Sequence, residues 1–412
     1  AWGKSEPTDL RVMTWNVQDA ICSTNHRRGA EGSDWDALAR IVAALRPDVL
    51  ILQEAGDNSG NGTGDRGDGQ AELEEAVRLF VQGGPGVASW VRRFAPGGYD
   101  LPHVFVSSVT DGYNRNVILS RHPFADLNGD ETAVYSNFMV LSDGFATTGT
   151  GGDRGFMWAE IDLPDGVYAG DVVVGNSHLK AGGSSWPERS EAARRIALFL
   201  HAYYNGAGTQ TSDPENRVYS PPWAASVLSP QTPIVWGGDL NENFYGTPVR
   251  ELQRYRFADG SGTPDGPDRD GTDAAVDSAT HPISGGQGTF SGSKLDYLLW
   301  QDSIAGVRRQ FVFATNTSGM TLAALPPEVR GMPGSPLQAS LIASDHRPVV
   351  VDLILPLAEA CPADWDSDGG VGVNDLLAFL GAFRGAAADV DGDGLTTVND
   401  LLAFLGAFRA GC

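Results

Sequence analysis

The sequence predicts an α/β protein, with helices packed on β-sheets and a small all-α unit at the C-terminal end. Three observations predict it. Residues 1–357 alternate short runs rich in Val, Ile and Leu with helical stretches and Gly-rich loops, the mixture of periods that places helices on sheets. The last part of the chain carries a tandem repeat instead. A composition of 41% hydrophobic and 20% charged residues over 412 positions is that of a chain able to bury the cores of two or three domains. No run approaches the roughly 18 apolar residues that a membrane-spanning helix needs.

In chain order, Leu10 to Val17, Val49 to Gln53, Asn116 to Ser120, Val172 to His178, Pro233 to Trp236, Leu295 to Trp300 and Val349 to Leu355 read as strands. Trp35 to Leu45, Ala71 to Val81 and Pro187 to Tyr204 read as helices, Pro187 standing where a first-turn proline is tolerated. The Gly-rich acidic segments Gly56 to Gly69, Thr147 to Gly155 and Asp259 to Gly288 read as long loops. Leu357 to Ala360 marks the boundary between a large N-terminal domain, 1–357, and a tail, 358–412.

Lys and Arg number 29 against 52 Asp and Glu, a formal charge of −23, so composition implies no basic groove for polyanions. The tail explains only part of this, with eight Asp and two Arg in its last 52 residues. Its repeat is literal: Asn374 to Arg384 recurs as Asn399 to Arg409, a period of 25 residues. Before each copy stands an acidic loop, Asp364, Asp366 and Asp368 in the first and Asp389, Asp391 and Asp393 in the second. Gly369 or Gly394 stands at position 6 and Asp375 or Asp400 at position 12. Carboxylates at positions 1, 3, 5 and 12 of such a loop converge on one hard cation, so two Ca2+ ions are expected. Position 12 is Asp in place of the EF-hand Glu. With a helix after each loop, the tail resembles the dockerin module, and the resemblance implies a cohesin-like protein partner.

Cys361 and Cys412 flank the repeat, where a disulfide between them would clasp the module in an oxidising compartment; two unpaired thiols are the alternative. Cys22 is left over. A chain opening on Ala1 fits a processed, secreted protein and equally a trimmed sequence.

Polar residues recur at the ends of the apolar runs, where burial without a partner is costly. They are Asn16, Glu54, His178, Asp239 with Asn241, Asp296, and Asp345 with His346. One such residue means little, whereas a series of carboxylate, amide and imidazole groups argues for a single polar site. The segments Thr-Trp-Asn16, Leu-Gln-Glu54, Ser-His178-Leu, Gly-Asp239-Leu-Asn241, Asp296-Tyr and Ser-Asp345-His346-Arg-Pro resemble the endonuclease/exonuclease/phosphatase superfamily over residues 10–355. That resemblance implies a four-layer α/β/β/α sandwich and phosphoester hydrolysis with Mg2+ or Mn2+.

Chemistry suggests a role for each residue. Glu54 offers the hard carboxylate that magnesium prefers, with Asn16 and Asp345 as further metal or phosphate ligands. Asp239 and Asn241, two apart on an extended segment, point the same way and would orient the attacking water. Asp296 would raise the pKa of His346, which contacts the phosphate, and His178 would stabilise charge or protonate the leaving oxygen. Arg115 and Asn116 are possible phosphate contacts, a plain turn before a strand being the alternative; Lys180, Arg154 and Arg194 are weaker candidates. Trp186 stands where it can touch substrate, and the remaining histidines, His281 among them, are expected at the surface. Gln18 and His178 move the resemblance away from apurinic-site nucleases, towards deoxyribonuclease-I-like, sphingomyelinase-like and inositol-phosphatase-like members. The expected substrate is a phosphodiester, nucleic acid being the first candidate.

Overall fold

The computed structural model describes residues 2–25, 30–57, 67–110, 113–137, 153–204, 224–226, 228–244, 246–254, 275–358, 361–366, 370–390 and 392–410. The chain divides into two compact units, one of residues 1–162 and 171–354, the other of residues 163–170 and 355–412.

The first unit runs β1 (Leu10–Asn16), α1 (Asp34–Leu45), β2 (Val49–Ala55), α2 (Gln70–Gln82), α3 (Val91–Phe94), β3 (His103–Val106), β4 (Arg115–Ser120), β5 (Val134–Asn137) and β6 (Asp153–Ile161). It continues with β7 (Val172–Leu179), α4 (Trp186–Tyr204), β8 (Ile234–Asp239), α5 (Thr247–Arg254), β9 (Ala275–Val276) and β10 (Asp296–Trp300). It closes with β11 (Gly306–Val312), α6 (Pro327–Arg330), α7 (Ala339–Ala343) and β12 (Val349–Ile354). Two six-stranded sheets result, ordered β11-β12-β1-β2-β4-β3 and β5-β6-β7-β8-β10-β9. Both are mixed: β1–β2 and β7–β8 pair in parallel, the other pairs antiparallel.

The central strands β1, β7 and β8 are buried at every residue, which is why they read as continuous apolar runs and not as alternation. Trp15, Leu50 and Leu52 pack beneath α1 and α2 through Trp35, Leu38, Leu73 and Phe80. On the other sheet Trp158, Val173 and Trp236 pack beneath α4 and α5 through Ala193, Ile196, Val249 and Leu252. Helix, sheet, sheet, helix is the layering expected from the sequence.

Between the sheets lies a buried amide, Asn176, whose Nδ2 donates to the carbonyls of Leu52 and Val117 on the facing sheet, while its Oδ1 accepts from Gln53 Nε2 at 2.8 Å. Gly175 beside it is required by packing, because a Cβ there would lie 2.0 Å from the Trp236 ring.

The structure departs from several sequence expectations. Asp153–Gly155, expected in a loop, begins strand β6, where Gly155 at φ 121° marks a register shift against β7. Ala275–Val276, also within an expected loop, pairs with β10. His281, expected at the surface, is buried, its Nε2 3.0 Å from the Ala314 carbonyl oxygen.

In the second unit, α8 (Val373–Arg384) and α9 (Val398–Ala410) stack Phe379 on Phe404 with ring centroids 3.9 Å apart, around Ala363, Ala388 and Trp365. Asp375 and Asp400 are buried at the starts of these helices. Cys361 is disulfide-bonded; Cys412, Asp368 and Asp391 lie outside the described residues. Cys22 is a buried thiol. Among the described residues no helix is long and apolar enough to cross a membrane.

Candidate active site

The ends of β1, β2, β7, β8 and β10 bring the strand-end polar residues to one place, where Glu54, Asp239 and His346 line an open cleft of about 640 Å³ and Asn16, His178 and Asp296 are buried next to them. Asp239 is the hub. Its Oδ2 accepts from Asn16 Nδ2 at 3.0 Å and lies 3.5 Å from His178 Nε2 and 3.7 Å from His346 Nε2. Its Oδ1 accepts the Asn241 N–H at 2.9 Å. His178 Nε2 is also 3.6 Å from Glu54 Oε1. His346 Nδ1 lies 2.8 Å from Asp296 Oδ2, and Phe290 packs on the imidazole with centroids 4.8 Å apart.

Local backbone explains how the side chains reach the cleft. Glu54 sits at φ 53°, where the β2–β4 register shifts, so its carboxylate leaves the plane of the sheet for the cleft. Asn241 sits at φ 50° in a turn and not on an extended segment; that expectation is corrected. The turn orients the amide, which donates to the Leu179 carbonyl at 2.9 Å and ties the Asp239 loop to the end of β7. Left-handed conformations at non-Gly residues cost energy that the surrounding contacts must supply, and they gather at functional sites.

Burial pushes the Asp239 carboxyl up to about 7, with nearby Asp296 adding to the shift, against His346 and the Asn16 and Asn241 hydrogen bonds. At His346 burial acts downward, but Asp296, Asp239 and Asp345 outweigh it and hold the imidazolium to about 10. Burial likewise raises Asp345. The imidazole therefore keeps its proton at neutral pH, where the Asp239 carboxyl titrates.

A pKa raised by folding stabilises the native state below its unfolded value, and that contribution is lost as pH climbs through the folded value. The window runs from 3.8 to about 7 for Asp239 and from 6.5 to about 10 for His346. In chelator, melting temperature should thus fall across the His346 window by more in the parent than in Asp296→Asn, which lacks the carboxylate that holds the proton. Equal slopes in a thermal-unfolding series would contradict the His346–Asp296 pairing.

Asp345 and Asn241 line the cleft together with Glu54, Asp239 and His346. Arg115 and Asn116 are not among its lining residues: Arg115 donates to the carbonyls of Asp68 and Ser107, and buried Asn116 to that of Gly155. Arg194 pairs with Glu191 and Lys180 with Glu188, while the Arg154 side chain lies outside the described residues. Trp186 does line the cleft, 54% exposed.

Sequence reasoning missed Arg189 and Glu242. The buried guanidinium donates to Glu242 Oε2 at 2.8 and 3.0 Å and to the Lys180 and Gly182 carbonyls, clamping the segment after β7 to the turn after β8. Their separation of 53 positions leaves no local pattern to read.

Among solved structures, the chain is similar to an endonuclease/exonuclease/phosphatase from Beutenbergia cavernae, at 21% identity over 84% of this chain and 72% of that one, with a TM-score of 0.44. It is similar to a mannosyl-6-phosphatase from Bacteroides thetaiotaomicron (15% identity, 84% and 99% covered, TM-score 0.44). Sphingomyelinase C from Streptomyces griseocarneus is a third (17% identity, 84% and 99%, TM-score 0.42). No curated protein matches the chain. The model of the Endonuclease/Exonuclease/phosphatase family matches residues 13–346, most of the chain and the whole span from Asn16 to His346, and the protein belongs to that family.

Proposed function

We propose that the protein is a secreted, divalent-metal-dependent phosphodiesterase whose tail is a calcium-loaded, dockerin-like anchoring module. The observation that carries the catalytic part is the convergence of Asp239, Asp296 and His346, one ligand atom of each lying within 4.8 Å of the others, beside His178 and Glu54.

The donor set fits a hard cation. Three carboxylates, Glu54, Asp239 and Asp345, line the cleft with Asp296 buried behind His346, and the Asp296 Oδ1 has no hydrogen-bond partner among the described residues. Glu54, helped by Asn16 and Asp345, is the set that would hold Mg2+ or Mn2+. Such an ion acts as a Lewis acid on phosphoryl oxygen.

The protein's own groups do the proton work. Asp239, poised near neutrality and oriented by Asn16 and Asn241, accepts a proton from the attacking water. His346, kept charged by Asp296, donates to a phosphoryl oxygen and offsets the negative charge that develops there. His178 supplies the second imidazole for the leaving oxygen.

A diester is favoured over a monoester because Arg189 is the one Lys or Arg lining the cleft among the described residues, and Glu242 already engages it. A dianionic monoester would need more positive charge. Bis(p-nitrophenyl) phosphate, DNA, sphingomyelin and p-nitrophenyl phosphate should be compared with and without magnesium. Metal-dependent hydrolysis of diesters is expected, with DNA the first polymer to test. Cleavage of monoesters alone would overturn the substrate reading, and cleavage unaffected by chelator the metal reading.

For the tail, oxygens of Asp364, Asp366 and Asp375 within 4.8 Å of one another support a cation in the first loop. The disulfide at Cys361 supports an oxidising compartment. Val373, Leu377, Val398 and Leu402, repeat-related and each more than 60% exposed, support a protein partner. Chelator should raise hydrogen exchange across α8 and α9 while leaving β1–β12 protected. Identical exchange with calcium and with chelator would count against a calcium-loaded module.

A further inference from the structure

A second acidic cluster lies in the catalytic unit, away from the cleft. The loop between β4 and β5 reads Asp126-Leu-Asn128-Gly-Asp130-Glu-Thr132, and one oxygen each of Asp126, Asp130 and Glu160 lies within 4.8 Å of the others. Two oxygens on one Ca2+ at 2.3–2.6 Å are at most about 5 Å apart, so the set fits around a single ion without rearrangement.

The loop repeats the frame of the second tail loop. Asp126 Oδ1 accepts from Gly129 N and Oδ2 from Glu131 N, as Asp389 accepts from Gly392 and Gly394. Asp130 accepts from Thr132 N as Asp393 does from Leu395 N. Glu160, arriving from β6, accepts from Leu127 N as Asp400 accepts from Val390 N. Glu131 even holds the left-handed φ of 68° that Gly394 takes at 82°. Glu160 thus stands where the tail has its position-12 Asp.

A separate observation points to a ligand. Asp130 Oδ2 is sealed from solvent with no hydrogen-bond partner among the described residues, and Asn128 is buried between the two aspartates. A buried carboxylate oxygen without a donor is costly unless a cation meets it. Asn128 Oδ1 accepts the Asp130 N–H at 3.0 Å, and an amide oxygen has a second lone pair to offer a cation.

We propose that Asp126, Asn128, Asp130 and Glu160 form a structural calcium site in the catalytic unit. Glu160 pairs across the sheet with Val173, five residues from His178, or about 17 Å along the strand, so the ion takes no part in the chemistry. Its role is to pin the β4–β5 loop to β6 and, through the Asn128 carbonyl that accepts from Ala225 and Ser226, to the segment before β8.

The test counts calcium bound to the full-length chain in excess magnesium, for the parent and for Asp130→Asn and Glu160→Gln, near-isosteric changes chosen to preserve folding. Each variant should hold one ion fewer. Calcium should raise the melting temperature of the catalytic unit in the parent and not in either variant. In chelator the variants should melt at or above the parent, because they relieve repulsion among carboxylates. A calcium count equal to the parent's in both variants would overturn the site. Variants that melt below the parent in chelator would assign these residues to hydrogen bonding alone and overturn it too.

Discussion

Asp239→Ala is expected to lower phosphodiester hydrolysis by about 10²- to 10³-fold, about 3–4 kcal/mol of transition-state stabilisation, while the fold survives. The carboxylate is contacted by Asn16, Asn241, His178 and His346, so its loss removes the contact that orients two imidazoles and, on the proposed mechanism, the acceptor for the proton of water. Stability should change little or rise, since burial and Asp296 already oppose its ionised form. Glu54→Ala should match the loss in rate and also raise the magnesium concentration needed for half-maximal activity, which separates the two roles. Steady-state kinetics with a magnesium titration checks both. If both variants kept the parent's activity on every substrate it cleaves, the site assignment would fall.

Asp352→Ala should carry the largest loss of stability, about 3–5 kcal/mol, with the cleft residues untouched. Arg11 and Asp352 are cross-strand partners on β1 and β12, both 0% exposed, joined by two parallel hydrogen bonds of 2.6 and 2.7 Å. Removing the carboxylate strands a guanidinium that keeps, among the described residues, the Trp2 and Leu45 carbonyls as acceptors. The paired change Arg11→Met with Asp352→Leu should recover most of the loss, because two apolar groups leave no buried charge. Denaturant unfolding of the catalytic unit reads the difference, and a single variant within about 0.5 kcal/mol of the parent would show that the pair is dispensable.

The sequence by itself determined the central strands and the residues at their ends. Val172–Val174 or Ile234–Trp236 can be little other than interior strand, and a His or Asp closing such a run is affordable only where other polar groups meet it. That is why Asn16, Glu54, His178, Asp239, Asp296 and His346 were legible before any coordinates, and why the tail's literal repeat announced its two helices. Tertiary structure decided what depends on pairs far apart in the chain. The Arg189–Glu242 clamp, the Asn176 bridge between sheets, the Arg11–Asp352 pair and the arrival of Glu160 at the Asp126 loop join residues 34 to 341 positions apart. Periodicity reports only which face of an element is buried. Which side chain meets another across two layers is set by strand order and register, and these are properties of the packed sheets and not of any local stretch of sequence.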